Sequence, residues 1–384
     1  MRAEAILRQV LVDVPGLVHR ARLNAVTSSV LALIKGGEVA LSALGRSILP
    51  GSQKHGIKRI DRLLGNEALV DELELFYGAI AKYVLRSTKR PVILVDWTET
   101  GRTMCALSAA VPMQGRAIVL HTMTLPLSKW ASRAFEDLFL QQLRALLGEG
   151  CTPILVGDAG FRAPWMRSVQ AMGWDFIVRI RGKAQVQRIS ESRWQKWSAL
   201  WSEARHTPRV LGKFNITKQH GIKATIVGMD QRSPRLRSTK IRPRRVVQFR
   251  AAKAHREPLF LATTLNRPAK EIAAIYATRM QIELAFRDLK SHRFGWGFED
   301  ARCRSVSRVA IQLMLASLAS FISMLVGLAI EDAGLQKRFQ ANTITKRRVL
   351  SLVWLGRVAI NTFDRLHELP LPDFEGRLPF AGIP

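Results

Sequence analysis

Cysteine is scarce in this chain, and the three present, Cys105, Cys151 and Cys303, lie far apart. No pair has zinc-ligand spacing, and an odd thiol count argues against a secreted disulfide scaffold. The eight histidines are scattered, so no zinc cluster is expected from them. Acidic residues are also short: 30 Asp+Glu face 59 Lys+Arg, a net charge of +29. That imbalance calls for a polyanionic partner, with nucleic acid first and an anionic membrane surface as the alternative. The first residues, Met1-Arg2-Ala3-Glu4, carry an acid and lack the apolar stretch of a signal peptide, so a cytoplasmic, nucleoid-associated protein is expected. One long uncharged run exists, Ala310 to Ile330, long enough to span a membrane. It contains Gln312, Ser317, Ser320, Ser323 and Gly327 and has no counterpart elsewhere, so it reads as a buried helix or oligomer contact, and no membrane association is expected. No internal repeat is present.

What is there is enough for two or three domains: 384 residues, 47% of them hydrophobic. Residues 1–88 read as a helical DNA-binding region. Within it, the stretch from His55 to Gly65 puts Lys58, Arg59 and Arg62 on one side of a helix, suited to DNA backbone contact. Pro91-Val-Ile-Leu-Val-Asp96 then reads as a buried strand ending in a carboxylate, followed by a meander. After an amphipathic helix from Ser132 to Leu147, Thr152-Pro-Ile-Leu-Val-Gly-Asp158-Ala-Gly160 repeats that device. Alternating strands and helices predict an α/β core, its first part at residues 89–181.

From 182 to 257 the texture becomes that of a β-rich basic insertion. It opens with Trp194, Trp197 and Trp201, and its span from Gln231 to Arg256 holds ten Lys/Arg, among them Arg242, Arg244 and Arg245, without one Asp or Glu. The last strand and a helix predicted over about 268–292 follow, placing the end of the core at 258–304. The remainder, 305–384, reads as a helical C-terminal region, helical to about His367, where dimer and synapsis contacts are expected.

The predicted 268–292 helix is the centre of the argument. At the helical period Tyr276, Arg279, Glu283, Arg287 and Lys290 fall on one stripe, beside an apolar stripe of Ile275, Ile282, Phe286 and Leu289. Taken alone, this is as compatible with a salt-bridged solvated face as with a site. Glu283 joins the two strand-end acids, however, and three carboxylates in a strongly basic protein suit phosphodiester chemistry. Two divalent ions can activate the nucleophile and stabilise the leaving oxygen. Hard Mg2+ takes oxygen ligands, so Asp96 would bridge two ions while Asp158 and Glu283 each hold one, with Mn2+ as a substitute.

Tyr276, Arg279, Glu283 and Lys290 reproduce the spacing Y-(2)-R-(3)-E-(6)-K. This resembles the signature of the YREK family of bacterial insertion-sequence transposases. The stretches His55–Asn66, Val95-Asp96-Trp97, Asp158–Phe161, Arg279–Glu283, Phe286–Ser291 and Phe339–Thr343 look closer still to the transposase of the cut-and-paste transposon carrying tetracycline resistance. The resemblance implies an RNase H-like α/β core, interrupted by the β-rich insertion and flanked by helical N- and C-terminal regions. It implies Asp96, Asp158 and Glu283 as catalytic, metal-binding acids, and Tyr276, Arg279 and Lys290 as phosphate- and hairpin-handling residues. It further implies cut-and-paste excision through a DNA hairpin, strand transfer to target DNA, and a homodimer that synapses two terminal inverted repeats. Met280 stands where other members carry a base-stacking tryptophan, so stacking must fall elsewhere, with the 194–201 tryptophans one option. A metal-dependent nuclease without strand transfer, and a DNA-binding regulator with a decayed site, are the competing readings.

Overall fold

The computed structural model describes residues 3–380 except 49–50, 87, 183, 219–220, 231–256, 342, 345–346, 373 and 375–376. Six helices come first: α1 (Ala3–Val10), α2 (Arg20–Gly36), α3 (Leu41–Arg46), α4 (Gln53–Leu64), α5 (Glu67–Asp71) and α6 (Leu73–Leu85). Strands β1 (Val92–Glu99), β2 (Met104–Met113) and β3 (Arg116–Pro126) follow, then α7 (Arg133–Leu147), β4 (Ile154–Gly157), α8 (Ala163–Ala171) and β5 (Asp175–Arg179). Next are β6 (Gln185–Arg188), β7 (Gln195–Lys196), β8 (Arg209–Ile216), β9 (Ile222–Met229) and β10 (Leu259–Thr263). The chain closes with α9 (Ala269–Ala277), α10 (Met280–Lys290), α11 (Val306–Asp332) and α12 (Leu352–Thr362). Residues 1–151 and 280–384 make one compact unit, and 152–279 make another.

In the first unit β1, β2 and β3 form an antiparallel meander, with Asp96 opposite Ser108 and an irregularity at Ala109/Ala110. β1 therefore does not end at Asp96. Ladder pairing with β2 carries it on through Trp97, Thr98 and Glu99. α6 and α7 pack together, α6 also meets β3, and α10 packs on β1, β2 and β3. The uncharged Ala310–Ile330 run lies within α11. This helix is long and apolar enough to cross a membrane, yet 89% of its most apolar window is buried inside the protein. An amphipathic surface helix would show one apolar stripe, whereas here nearly the whole circumference is covered. The C-terminal region expected to be helical to about His367 consists of separate helices: α11 stops at Asp332, and α12 begins at Leu352 with Ser351 Oγ accepting from the Trp354 N–H at 3.2 Å.

His121, on β3, is buried between aromatic neighbours. Its ring lies 5.0 Å from that of Phe139 and 5.9 Å from that of Tyr77, with Gln142 Oε1 3.2 Å from Nε2. Burial disfavours the imidazolium and pushes its pKa down to about 4. The unfolded chain therefore binds a proton between about pH 6.5 and 4 that the folded chain refuses, so stability falls with pH through that window. Denaturant titrations at pH 7 and pH 4 should differ by up to about 3 kcal/mol more in the wild type than in His121→Gln. Equal pH dependence in the two proteins would remove His121 from the acid response.

In the second unit the strands follow the order β4-β5-β10-β9-β8-β6-β7. β4 and β5 are parallel, and β10 runs antiparallel to both β5 and β9. β4 is buried along its length, as its apolar sequence requires of a strand covered on both faces. Trp197 is buried in this unit, its indole N–H donating to the Gly182 carbonyl at 2.7 Å and its ring 5.4 Å from Phe260. The run 231–256, with Arg242, Arg244 and Arg245, lies outside the described residues.

The helix expected over 268–292 is two helices, α9 and α10, separated by Thr278 and Arg279. The break has a local cause. The Thr278 hydroxyl donates to the Ile275 carbonyl at 2.6 Å, and the Thr278 and Arg279 N–H groups bond three residues back, to Ile275 and Tyr276. A threonine hydroxyl that competes for a helical carbonyl, with a tightened last turn, ends the α-helical ladder. The single stripe from Tyr276 to Lys290 is correspondingly divided.

Candidate active site and nucleic-acid interface

The first unit positions Asp96, Glu283, Arg287 and Lys290. Strand alternation sends Asp96 and Thr98 to one face of β1 and Trp97 to the other. Trp97 turns its indole N–H toward Glu136 of α7, at 3.4 Å. Thr98, on the Asp96 side, lines a cavity of about 50 Å3 together with Ser108 and with Phe286 and Leu289 of α10. So Asp96 faces the helix that carries Glu283. Asp96 is half-buried, and its Oδ1 accepts the Trp97 N–H at 2.9 Å.

On α10, Glu283 sits in the first turn, where a carboxylate is favoured by the helix dipole, and Arg287 and Lys290 sit in the last, where cations are favoured. Ile282 and Phe286 turn inward, Glu283 is half-buried and Arg287 is exposed. Burial pushes the Lys290 ammonium down, while the negative charges of Glu299, Glu99 and Asp96 push it back up. The helix is anchored by Asp288, whose carboxylate binds Arg116 of β3 at 2.5 Å, and by Gln281, which accepts the Met113 N–H at 2.8 Å. Met280, at its first position, is 51% exposed.

The second unit positions Asp158, Tyr276 and Arg279. Asp158 follows β4 directly. Its Oδ1 accepts the Gly160 N–H at 2.8 Å, an Asx turn that fixes the carboxylate. Both flanking glycines are sterically required: a Cβ on Gly157 would stand 2.7 Å from the Phe161 ring, and one on Gly160 2.9 Å from Asp158 Oδ1. Tyr276 is buried on α9, which raises its phenol pKa. Arg279 and Arg179 oppose that rise, and Arg279 also hydrogen-bonds the ring hydroxyl.

Arg179 was not singled out by the sequence. It ends the apolar strand β5, burial pushes its guanidinium down, and among the described residues its Nε has no hydrogen-bond partner. Arg179 is half-buried, with an enclosed, unsatisfied Nε donor, and lies in the field of Tyr276 and Arg279. The available signal was an arginine closing the otherwise apolar run Phe176-Ile-Val.

Among the described residues no group of three or more His, Cys, Asp or Glu forms a ready metal cage. The donor chemistry nevertheless suits Mg2+. That ion is commonly held by one or two carboxylates with water and substrate phosphate completing the shell, and Asp96, Asp158 and Glu283 all offer oxygen.

Lys58, Arg59 and Arg62 lie exposed on α4, whose inner side is Gly56, Ile60, Leu63 and Leu64. α3 and α4 cross at Gly45 and Gly56, where a Cβ on either would collide with the other helix's backbone. Ser52 caps α4, and Asp61 pairs with Arg308 at 2.6 Å, so the basic face sits on a fixed support. Changing Lys58, Arg59 and Arg62 to alanine together should weaken DNA binding across all sequences. The plot of log K against log salt should become shallower by about three. An unchanged slope in a fluorescence-anisotropy titration would take this face out of the interface.

No curated protein matches the chain significantly. The family model described as transposase DDE domain matches residues 87–322. That span is more than half of the chain and runs from before β1, past the Asp158 turn and α10, into α11. DNA is the substrate of this family, and its members generally use divalent metals. The chain belongs to the DDE-domain transposases, enzymes of the polynucleotidyl-transferase type that act in DNA transposition and recombination.

Proposed function

We propose that the chain excises and reinserts an insertion sequence by a cut-and-paste route, with Asp96, Asp158 and Glu283 as the acids that hold two Mg2+ ions, Mn2+ substituting. The observation that carries this reading is the family match across a chain in which each acid has a fixed local setting: the β1 face toward α10, the Asx turn after β4, and the first turn of α10. The spacing of Tyr276, Arg279, Glu283 and Lys290 supports placing it in the YREK group, close to the tetracycline-resistance element's transposase, on an RNase H-like core. Its domain division follows the sequence: a DNA-binding region at 1–88, core segments at 89–181 and 258–304 around an insertion at 182–257, and dimer contacts in 305–384.

Bound by these carboxylates, Mg2+ would make the attacking oxygen a better nucleophile and stabilise the leaving one. The chain's own residues do the rest. Lys290, with Arg287 at the same end of α10, holds a DNA phosphate. Arg279 and Arg179 bind another as a pair of guanidinium groups, and Tyr276 orients Arg279 through its hydroxyl. The sequence of bonds is hydrolysis of one strand to free a 3′-hydroxyl, attack of that hydroxyl on the opposite strand to close a hairpin, hydrolytic opening, and attack on target DNA. Each step exchanges one phosphodiester bond for another or for water, with no redox partner. The working form is a homodimer that holds two terminal inverted repeats. Its setting is the cytoplasm, on the nucleoid.

Chelated protein should bind DNA carrying the element's ends and leave it uncut, and added Mg2+ should start strand cleavage. Cleavage at full rate in excess chelator would contradict the metal reading.

A further inference from the structure

The segment that follows α10 combines an exposed tip with a buried base. His292, Arg293 and Phe294 are exposed, and the next four residues, Gly295 to Phe298, are buried. The backbone there is tied at successive points. The Phe294 N–H donates to Ser291 Oγ at 3.1 Å, and the Gly295 carbonyl accepts from Arg357 Nη1 at 3.2 Å. The Trp296 N–H donates to the Asp288 carbonyl at 3.0 Å, the Trp296 carbonyl accepts the Val39 N–H at 2.9 Å, and the Gly297 N–H donates to the Ser291 carbonyl at 3.1 Å. The Trp296 indole N–H donates to Ser320 Oγ at 2.7 Å. Gly295 passes so close to Asp288 that any Cβ would collide with its carbonyl. This is a rigid hook, and what it displays is a phenyl ring.

Phe294 is 58% exposed. The Arg293 guanidinium lies 5.0 Å from its ring centroid, and one edge meets Trp354 of α12 at 5.8 Å in a T-shaped contact. Arg357 braces that contact, 5.4 Å from the rings of both Trp354 and Trp296. A lone exposed phenylalanine on a mobile loop would call for no explanation. Here the ring is pinned at one edge by Trp354, with the Arg293 guanidinium over it, and more than half of its surface stays open. Along residues 287–304 the sequence carries Arg287, Lys290, Arg293, Arg302 and Arg304 against Asp288, Glu299 and Asp300, and two of those acids are already paired, Asp288 with Arg116 and Asp300 with His292. An exposed aromatic ring with a guanidinium beside it, on a cation-rich stretch of chain, fits an unpaired nucleic-acid strand, whose backbone is drawn by the charges while a base stacks on the ring.

We propose that Phe294, backed by Arg293, is a stacking platform for an unpaired base of the DNA strand that runs along the Glu283 helix. The inference deepens the proposed strand processing and rests on it for the identity of the strand. A protein surface, including a second copy of the chain, fits less well, because two such basic hooks would repel each other.

The test uses full-length protein in chelator, so that no strand is cut, and DNA ends from the element with 2-aminopurine at successive positions near the cleavage site. Wild-type protein should change the fluorescence at one of these positions. Phe294→Ala should abolish that change and weaken binding of DNA with an unpaired end about tenfold, while binding of fully paired DNA shifts less than about twofold. Phe294→Trp should restore both. Unaltered unpaired-end binding by Phe294→Ala, or a loss of self-association in its sedimentation profile in place of the binding defect, would overturn the proposal. The failure of the enzymatic reading is distinct: a wild-type protein that shows the Phe294-dependent signal but never cuts in Mg2+ would sink the excision chemistry and leave the platform standing.

Discussion

Glu283→Gln should bind DNA with wild-type affinity and cut it at least about 10^3-fold more slowly. The substitution preserves the size and hydrogen-bonding reach of the side chain while removing the charge that a hard cation needs. It also leaves the buried face of α10, Ile282 and Phe286, untouched. Stability should therefore change by no more than about 1 kcal/mol, because the side chain is half-buried and its size is kept. Single-turnover cleavage and an anisotropy titration on the same preparation separate the two effects. Undiminished cleavage would remove Glu283 from metal binding. Loss of DNA binding alongside cleavage would make it a structural residue instead.

The second large effect is on folding. α11 and α12 cross with their backbones in contact, and two glycines make that possible: a Cβ on Gly356 would overlap the Ser323 carbonyl, and one on Gly327 the Leu352 carbonyl. Neither neighbour can turn aside as a flexible side chain could. Gly356→Val should destabilise the protein by about 3 kcal/mol or more, since overpacking against backbone forces the helices apart. Gly78 supplies the control. It lies inside α6 with open space where its Cβ would go, so Gly78→Ala should stabilise by about 0.5 to 1 kcal/mol through helix propensity. A chemical-denaturation midpoint shifted equally by both changes would show that the close crossing is not what limits Gly356.

The sequence made some of this legible. Apolar runs closed by Asp96 and Asp158 mark strands because both faces of such strands are covered, and the glycine turn after Asp158 announces its Asx geometry. Ala310–Ile330 reads as interior because its hydroxyls and glutamine set it apart from a lipid-facing span; Gln312 Nε2 donates to the Val39 carbonyl, while Gln312 Oε1 and Ser323 Oγ are buried without a partner among the described residues. Other features depend on tertiary context. Thr278 has a neutral place in a helical pattern, and only its hydroxyl's capture of the Ile275 carbonyl shows that the helix divides there. Arg179 looks like a strand-terminal arginine until burial leaves its Nε without a partner. Phe294 looks like one more apolar residue after a helix until long-range contacts to Val39, Ser320 and Arg357 make its loop rigid. Contacts between residues dozens to hundreds of positions apart leave no local periodicity to read.

The central claim is excision by strand transfer within the element's own DNA. It is tested most directly by incubating purified protein and Mg2+ with end-labelled DNA carrying the terminal inverted repeats that flank its gene, and resolving the products on a denaturing gel. The account predicts a Mg2+-dependent species of about twice the single-strand length, the hairpin, absent with Asp96→Asn. Double-strand breaks without that species would contradict it and identify a nuclease, and a bound but uncut duplex would point to a DNA-binding regulator.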